Sequence, residues 1–401
     1  MGAYAAILVL FGLIMDSPRG ILTGLYNIII EPDFLITDYF GVGGMGAAFV
    51  NSGLLALMAI GILYTLKVDM TGAAISTIWV IAGFSLFGKN LLNVWFIILG
   101  VWLYAHYQKD KLIKYIYIAL FGTTLAPLVT QIMFGVNIPR LYSIPLGILT
   151  GLCVGFVLPP LAAYLMRVHQ GFNLYNIGFT AGIVGTIFMA VFRSYGFFIE
   201  TRIIWTEGNN KILGMFLIFI FLSMILVGYL LNSYSFMGLK NFFTYSGRLI
   251  TDFVILEGFG ISLVNMGING LLSTVYVLAV RGSLNGPTIG GIFTIVGFSA
   301  FGKHLRNMVP IMLGVVIGNI TQAMALSSPG SLLAVLFGTT LAPIAGSFGW
   351  KYGIIAGFLH SSVVLSVGYL HGGFNLYNNG FSGGIVAATL IPIIEAMRKD
   401  E

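Results

Sequence analysis

Apolar residues fill this chain in long runs, separated by short polar breaks, and the runs have the length of membrane helices. They lie near 41–66, 71–87, 90–107, 113–135, 145–166, 172–192 and 212–231. A bilayer core of about 30 Å needs roughly 20 such residues per helix. The clearest run is ILGMFLIFIFLSMILVGYLL, residues 212–231, which holds no charge. Residues 1–30 carry a further apolar stretch, interrupted at Asp16–Gly20 and with no basic segment ahead of it. It reads as a first membrane segment and not as a cleaved leader. The pattern predicts an all-α polytopic membrane protein.

The runs recur. GFSLFGKNLLNVWFIILG at 83–100 aligns with GFSAFGKHLRNMVPIMLG at 297–314, with 11 identities in 18 positions at an offset of 214. The same offset pairs Thr37-Asp38 with Thr251-Asp252, Asn51 with Asn265, Lys67 with Arg281 and Gly72 with Gly286. LFGTTLAP stands unchanged at 120–127 and 336–343. Residues 169–184 and 371–386, built on GFNLYN-x-GF, share 12 of 16 positions. Four blocks in one order define two homologous repeats. The chain divides into an N-terminal membrane segment (1–36), a first repeat (37–193), a linker with one transmembrane helix (194–250) and a second repeat (251–401).

Seven crossings from one repeat start to the next would place the second repeat upside down, as in many transporters. The segment 71–107 leaves two options open. Its short runs flank GKN and are either two crossings or one helical hairpin that dips in and returns. If the 71–87 run does not span, the count becomes six and the repeats are parallel. We expect inverted repeats with broken or re-entrant helices. On that count Lys67, Lys109, Lys111, Lys114, Arg167, Lys240, Arg248, Lys351, Arg398 and Lys399 share one face, which the positive-inside rule makes cytoplasmic. Arg140, Arg193, Arg202, Lys211 and Arg281 fall opposite.

Composition narrows the function. Charged residues make up 8% of the chain, about a third of the fraction usual in soluble domains. The net charge of +6 therefore reads as loop charge that sets orientation, not as a nucleic-acid surface. A single cysteine, Cys153, excludes disulfides and cysteine metal sites. No P-loop, Rossmann fingerprint or H-E-x-x-H stretch occurs, so neither a cofactor nor a metal is expected.

Few polar residues remain to carry chemistry. Lys89 and Lys303 each follow Phe-Gly and precede an Asn four residues on, Asn93 and Asn307. An ionisable residue at membrane depth marks a functional site by default, unless these lysines end short helices and snorkel to headgroups. Asn173, Tyr175 and Asn176 recur as Asn375, Tyr377 and Asn378. Asn can replace water around a solute, or it can hold helices together. His169 and His371 are expected to cap these segments at the surface. Asp38 and Asp252 read as N-caps of the segments that follow them. Gly380-Phe381-Ser382-Gly383-Gly384 fits G-x-S-x-G, but without a strand before it the glycines read as helix contacts. The second repeat adds ionisable groups: His304 for Asn90, Arg306 for Leu92, Glu257 for Gly43 and His360 for Leu158.

The paired GFS-x-FGK-x3-N and GFNLYN-x-GF blocks resemble a bacterial membrane family known as a domain of unknown function, number fifteen seventy-six, with two copies per chain. The resemblance covers nearly the whole sequence and brings no activity. In layout, GMGAAFVNSGLLAL followed by a Gly-Ala-rich segment is similar to the urea-transporter family, which has two inverted halves around a solute pore. The chain lacks an NPxxG stretch, so that similarity does not extend to urea.

The expected function is a transporter or channel for a small polar or anionic solute at the repeat interface. Lys89 and Lys303 would supply positive potential there, and the Asn-Tyr-Asn segments would bind the solute. The alternatives are an intramembrane enzyme using His360, His304 and Glu257, and a non-transporting subunit of a complex. An integral protein of the bacterial cytoplasmic membrane, with its C-terminus in the cytoplasm and a homo-oligomeric assembly, completes the expectation.

Overall fold

The computed structural model describes residues 1–197, 202–249 and 251–398, so Lys399 lies outside the described residues. Among these residues the chain is helical and contains no strand, apart from one isolated bridge between Thr37 and Ile204. The first half contains α1 (Gly2–Met15), α2 (Pro18–Ile30), α3 (Met45–Thr65), α4 (Gly72–Phe84), α5 (Asn93–Tyr107), α6 (Leu112–Gly135), α7 (Arg140–Leu165) and α8 (Asn176–Ser194). Then come α9 (Asn210–Leu231), α10 (Phe259–Ala279), α11 (Gly286–Phe298), α12 (Leu305–Thr321), α13 (Pro329–Phe348), α14 (Trp350–Val367) and α15 (Asn378–Arg398). Eight helices are long and apolar enough to cross a membrane, and α1 with α2 forms a further segment bent by 114°.

The 71–107 region is a hairpin. Its helices α4 and α5 have 13 and 15 residues, and at ~1.5 Å per residue each is about 20 Å long. Lys67–Thr71 joins α3 to α4, and Asn51 on α3 donates to the Ser85 and Lys89 carbonyls, so α4 runs antiparallel to α3. A short turn joins α5 to α6, whose Tyr117 hydroxyl lies 3.5 Å from Thr71 Oγ at the start of α4. The hairpin therefore enters and leaves at one end of the bundle. Its counterpart α11–α12 does the same from the other end, with Leu332 of α13 beside Gly282 just before α11.

A hairpin removes two crossings from the expected seven, not one. Five remain between repeat starts (α3, α6, α7, α8, α9), still an odd number, and α10 runs opposite to α3. The packing of α4 on its counterpart α11 gives the same answer independently. Gly72 lies against Ala300, Gly83 against Gly290 and Gly286 against Leu86, so the two helices are antiparallel. A Cβ on Gly83 would stand 2.8 Å from the Gly290 carbonyl oxygen; only glycines allow this approach. Outside the repeats as first drawn, α1 packs on α3 as α9 packs on α10: Gly12 meets Gly46 and Val50, and Gly228 meets Gly260 and Val264.

Tracing these directions puts Lys67, Lys109, Lys111, Lys114, Arg167, Lys240, Arg248, Lys351 and Arg398 at one end, here the Lys67 end. Arg140, Arg193, Arg202, Lys211 and Arg281 lie at the other, the Arg281 end. Between them the two hairpin tips pass each other in an aromatic centre that includes Phe84, Phe87, Phe298, Phe337, Tyr175 and Tyr377.

Candidate functional site

Each hairpin tip needs partners for the carbonyls its helix end leaves free. In the first half, Asn51 Nδ2 bonds the Ser85 and Lys89 carbonyls at 2.7 and 2.9 Å. In the second, Asn265 Nδ2 bonds those of Ser299 and Lys303 at 2.7 and 2.8 Å. Asn93 and Asn307 cap the outgoing helices, accepting from the Asn90 and His304 N–H groups and donating to the Gly88 and Gly302 carbonyls. Gly88 adopts φ 107° to close the first turn. With the backbone satisfied, the lysine side chains are free to point inward.

Both lysines are fully buried, and each reaches across to the other repeat. Lys89 Nζ donates to the Tyr377 hydroxyl at 2.8 Å, and Lys303 Nζ donates to the Tyr175 hydroxyl at 2.6 Å. Each also lies over the ring it bonds, 4.8 Å and 4.6 Å from the centroids. Lys303 gains a second acceptor, Thr339 Oγ at 2.7 Å. Thr339 and the aligned Thr123 both donate to the carbonyl three residues back, Leu336 and Leu120, but only Thr339 also accepts from its lysine, leaving Lys89 with one partner. Among the described residues the ion pairs are Lys114–Asp110 and Arg202–Glu31, so neither buried lysine meets a carboxylate. A buried charge without a counter-ion is costly, and here hydroxyls and ring faces are what it has.

The tyrosines are placed by breaks in α6 and α13. Pro127 and Pro343 cannot donate a backbone hydrogen bond, and the helices tighten into 3₁₀ turns at Thr123–Leu125 and Thr339–Leu341. Thr124 and Thr340 then hold the opposite GFNLYN loop. Thr340 Oγ donates to Asn173 Oδ1 at 2.6 Å and accepts from Tyr175 N–H at 3.0 Å. Thr124 Oγ donates to Asn375 Oδ1 at 2.9 Å and accepts from Tyr377 N–H at 2.9 Å.

The remaining sequence-predicted residues separate by role. Asn173 and Asn375 spend their amides across the interface, on the Gly380 and Gly178 carbonyls at 2.9 and 3.0 Å; they join the halves. Asn176 and Asn378 tie each loop back to the preceding helix, at Ala162 and Val364. His169 and His371, expected at the surface, are buried, and they bond Asn176 and Asn378, seven residues on, at 2.9 Å. Burial follows because each loop folds inward before α8 or α15 begins. Glu257 accepts from Tyr245 and Asn241, His304 bonds the Tyr245 carbonyl and Arg306 the Phe243 carbonyl. His360 sits apart from that group, bonded to Asn379 and Ser382.

A cavity of about 280 Å³ lies between the repeats. Its walls are largely aromatic, with Phe84, Phe121, Phe298 and Phe301 beside Tyr175 and Tyr377, and its polar groups include Asn176 and Asn379. It reaches the surface at Met166, which is 44% exposed, at the Lys67 end. There it adjoins a second hollow, sharing Met166 and Leu249 and lined by Arg167 and Arg248. Among the described residues, no acidic one lines either space. Toward the Arg281 end the same region is packed shut: Phe87, aligned with the cavity-lining Phe301, is fully buried against Gly290.

Sequence reasoning missed Thr124, Thr339, Thr340, Asn379 and Ser382. The threonines lie in the identical LFGTTLAP copies, where Thr is an ordinary residue of membrane helices and gives no signal. Asn379 and Ser382 had a signal, since Ile177, Thr180 and Leu158 all differ from their counterparts and the three replacements touch.

No curated protein and no solved structure matches the chain, so the likeness to urea transporters gains no support from known proteins. A family described as "Protein of unknown function (DUF1576)" matches residues 17–194 and again residues 231–396, two regions that together take in most of the sequence. The chain belongs to this family, with two copies of its domain.

Proposed function

We propose that the protein is a membrane carrier for an organic anion with an apolar body, bound in the cavity between two inverted repeats. The observation that carries this reading is the pair of buried lysines without carboxylate partners, each holding a tyrosine that lines the cavity. Their field favours an anion, and Arg167 and Arg248 at the mouth would raise its local concentration. Aromatic walls suit an apolar body better than a fully polar solute, which narrows the sequence expectation. Closure at the Arg281 end favours a carrier over an open channel. Rocking one repeat against the other would then expose the site alternately. The excess of basic loop residues at the Lys67 end, with the open mouth and the C-terminal helix end, supports a cytoplasmic side there. An enzyme built on His360, His304 and Glu257 is less well supported, because His360 shares no hydrogen bond with the other two.

Uptake of radiolabelled benzoate, a compact aromatic carboxylate, into liposomes containing the purified protein tests the reading. Saturable uptake is expected, falling at least ~tenfold in the Lys89→Met, Lys303→Met double variant, a change of ~1.4 kcal/mol or more. Equal uptake by the variant, or none by the wild type, would overturn it.

A further inference from the structure

His360 occupies the niche that Leu158 fills in the first half. A Cβ on Gly338 would meet the His360 ring, as one on Gly122 would meet Leu158. The first half shows that an apolar side chain packs there well, so a buried imidazole in the second half calls for its own explanation. Its surroundings changed with it. Asn379 replaces Ile177 and Ser382 replaces Thr180, and both bond the ring. Nε2 lies 2.9 Å from Asn379 Oδ1, and Nδ1 lies 3.1 Å from Ser382 Oγ.

This network suits both protonation states. Asn379 Oδ1 only accepts, so Nε2 carries a hydrogen and the neutral ring must accept from the Ser382 hydroxyl through Nδ1. When Nδ1 gains a proton it becomes a donor, and the Ser382 oxygen must accept. The hydroxyl hydrogen can then turn to the Asn379 carbonyl, 3.2 Å away. Neither state strands a buried polar group. Asn379 in turn forms part of the cavity wall, and with its oxygen held by the ring its amide hydrogens are left for other acceptors.

We propose that His360 binds the proton that accompanies the solute, so that the protein carries a proton and an organic anion together. This rests on the carrier reading above. The balance is simple: the ring gains one positive charge, the solute brings one negative charge, and the loaded centre gains no net charge. Among the helices packed on α14, α13 has no ionisable group. Arg306 on α12, Glu395 and Arg398 on α15, and Lys351 and Tyr352 on α14 itself lie toward helix ends and make no hydrogen bond to His360. In the loop before α15, His371 is committed to Asn378. Lys303, bonded to Thr339 next to the Gly338 that His360 packs against, is a base and supplies no counter-charge, so the charge is left to be matched from the cavity.

Calorimetric titration of the full-length protein in detergent with benzoate, in two buffers of different ionisation enthalpy, counts protons taken up per anion bound. Uptake approaching one proton is expected at pH 7.5. In His360→Leu, which copies the first half, and in His360→Gln, it should fall to none while benzoate binds at least tenfold more weakly. The second variant keeps a hydrogen-bonding side chain should the first fail to fold. Benzoate binding without proton uptake in the wild type, or with undiminished uptake in either folded variant, would overturn the proton site and leave the carrier standing. No benzoate binding by the wild type would overturn both.

Discussion

The two halves share one frame and differ in what they hang on it. Asn51 and Asn265, Asn93 and Asn307, Thr124 and Thr340 share one set of bonds, to which Asn93 adds one to the Asp33 carboxylate and Asn265 one from Asn269. The differences lie beside the frame. Lys303 has two hydroxyl partners and Lys89 one, while His360 and Asn379 stand where the first half has Leu158 and Ile177. Position comes from what is duplicated; under the carrier we propose, direction and coupling would come from what is not.

The frame itself should break hardest. Gly83→Leu puts a side chain into the Gly290 backbone, which cannot move aside, and no folded protein should be recovered by size-exclusion chromatography. Gly61→Ala, where a Cβ meets open space, should stay within about 0.5 kcal/mol of wild type. Next comes the closed end: Phe87→Ala should destabilise by about 3–5 kcal/mol, the usual cost of emptying a buried Phe site. Phe301→Ala, at the cavity wall, should cost clearly less in the same denaturation assay. Third, Lys303→Met leaves two hydroxyls without their donor and Lys89→Met leaves one. At about 1.5–3 kcal/mol per lost hydrogen bond to a charged group, the Lys303 variant should melt lower; equal melting would remove the inequality between the lysines. The smallest contrast is Thr339→Val against Thr123→Val. Hydrogen bonds to charged groups contribute about 1.5–3 kcal/mol and neutral ones about 1, so only the Thr339 change should also weaken benzoate uptake.

Much of the frame was legible because duplication leaves identical letters, and because lysine is rare in apolar runs. The direction of the repeats was legible too, although the crossing count behind it was wrong. Residues 71–107 look like two spans, since Gly72–Phe84 and Asn93–Tyr107 are as apolar as spanning helices and fall short only in length. The partners within the site were not legible. That Tyr175 serves Lys303, more than a hundred residues on, depends on how the repeats cross. Nor was it legible which of the two open roles each Asn takes: Asn173 and Asn375 donate to backbone carbonyls of the opposite repeat.

Asp38 and Asp252 also do more than cap the segments that follow them. Asp38 accepts from Gly286 N–H at the start of α11, and Asp252 accepts from Gly72 N–H at the start of α4, at 3.2 and 3.0 Å. Each half finishes the other half's hairpin. Such reciprocal exchange is the signature of an isologous contact, where one surface meets a rotated copy of itself. A single ancestral half, inserted into the bilayer in both orientations, would have needed no new residue to pair this way. The helix α9, which packs on α10 as α1 packs on α3, makes the crossings between repeat starts odd in number and so delivers the second copy inverted. Once fused, the two copies no longer had to be alike, and a His could arise in one without appearing in the other.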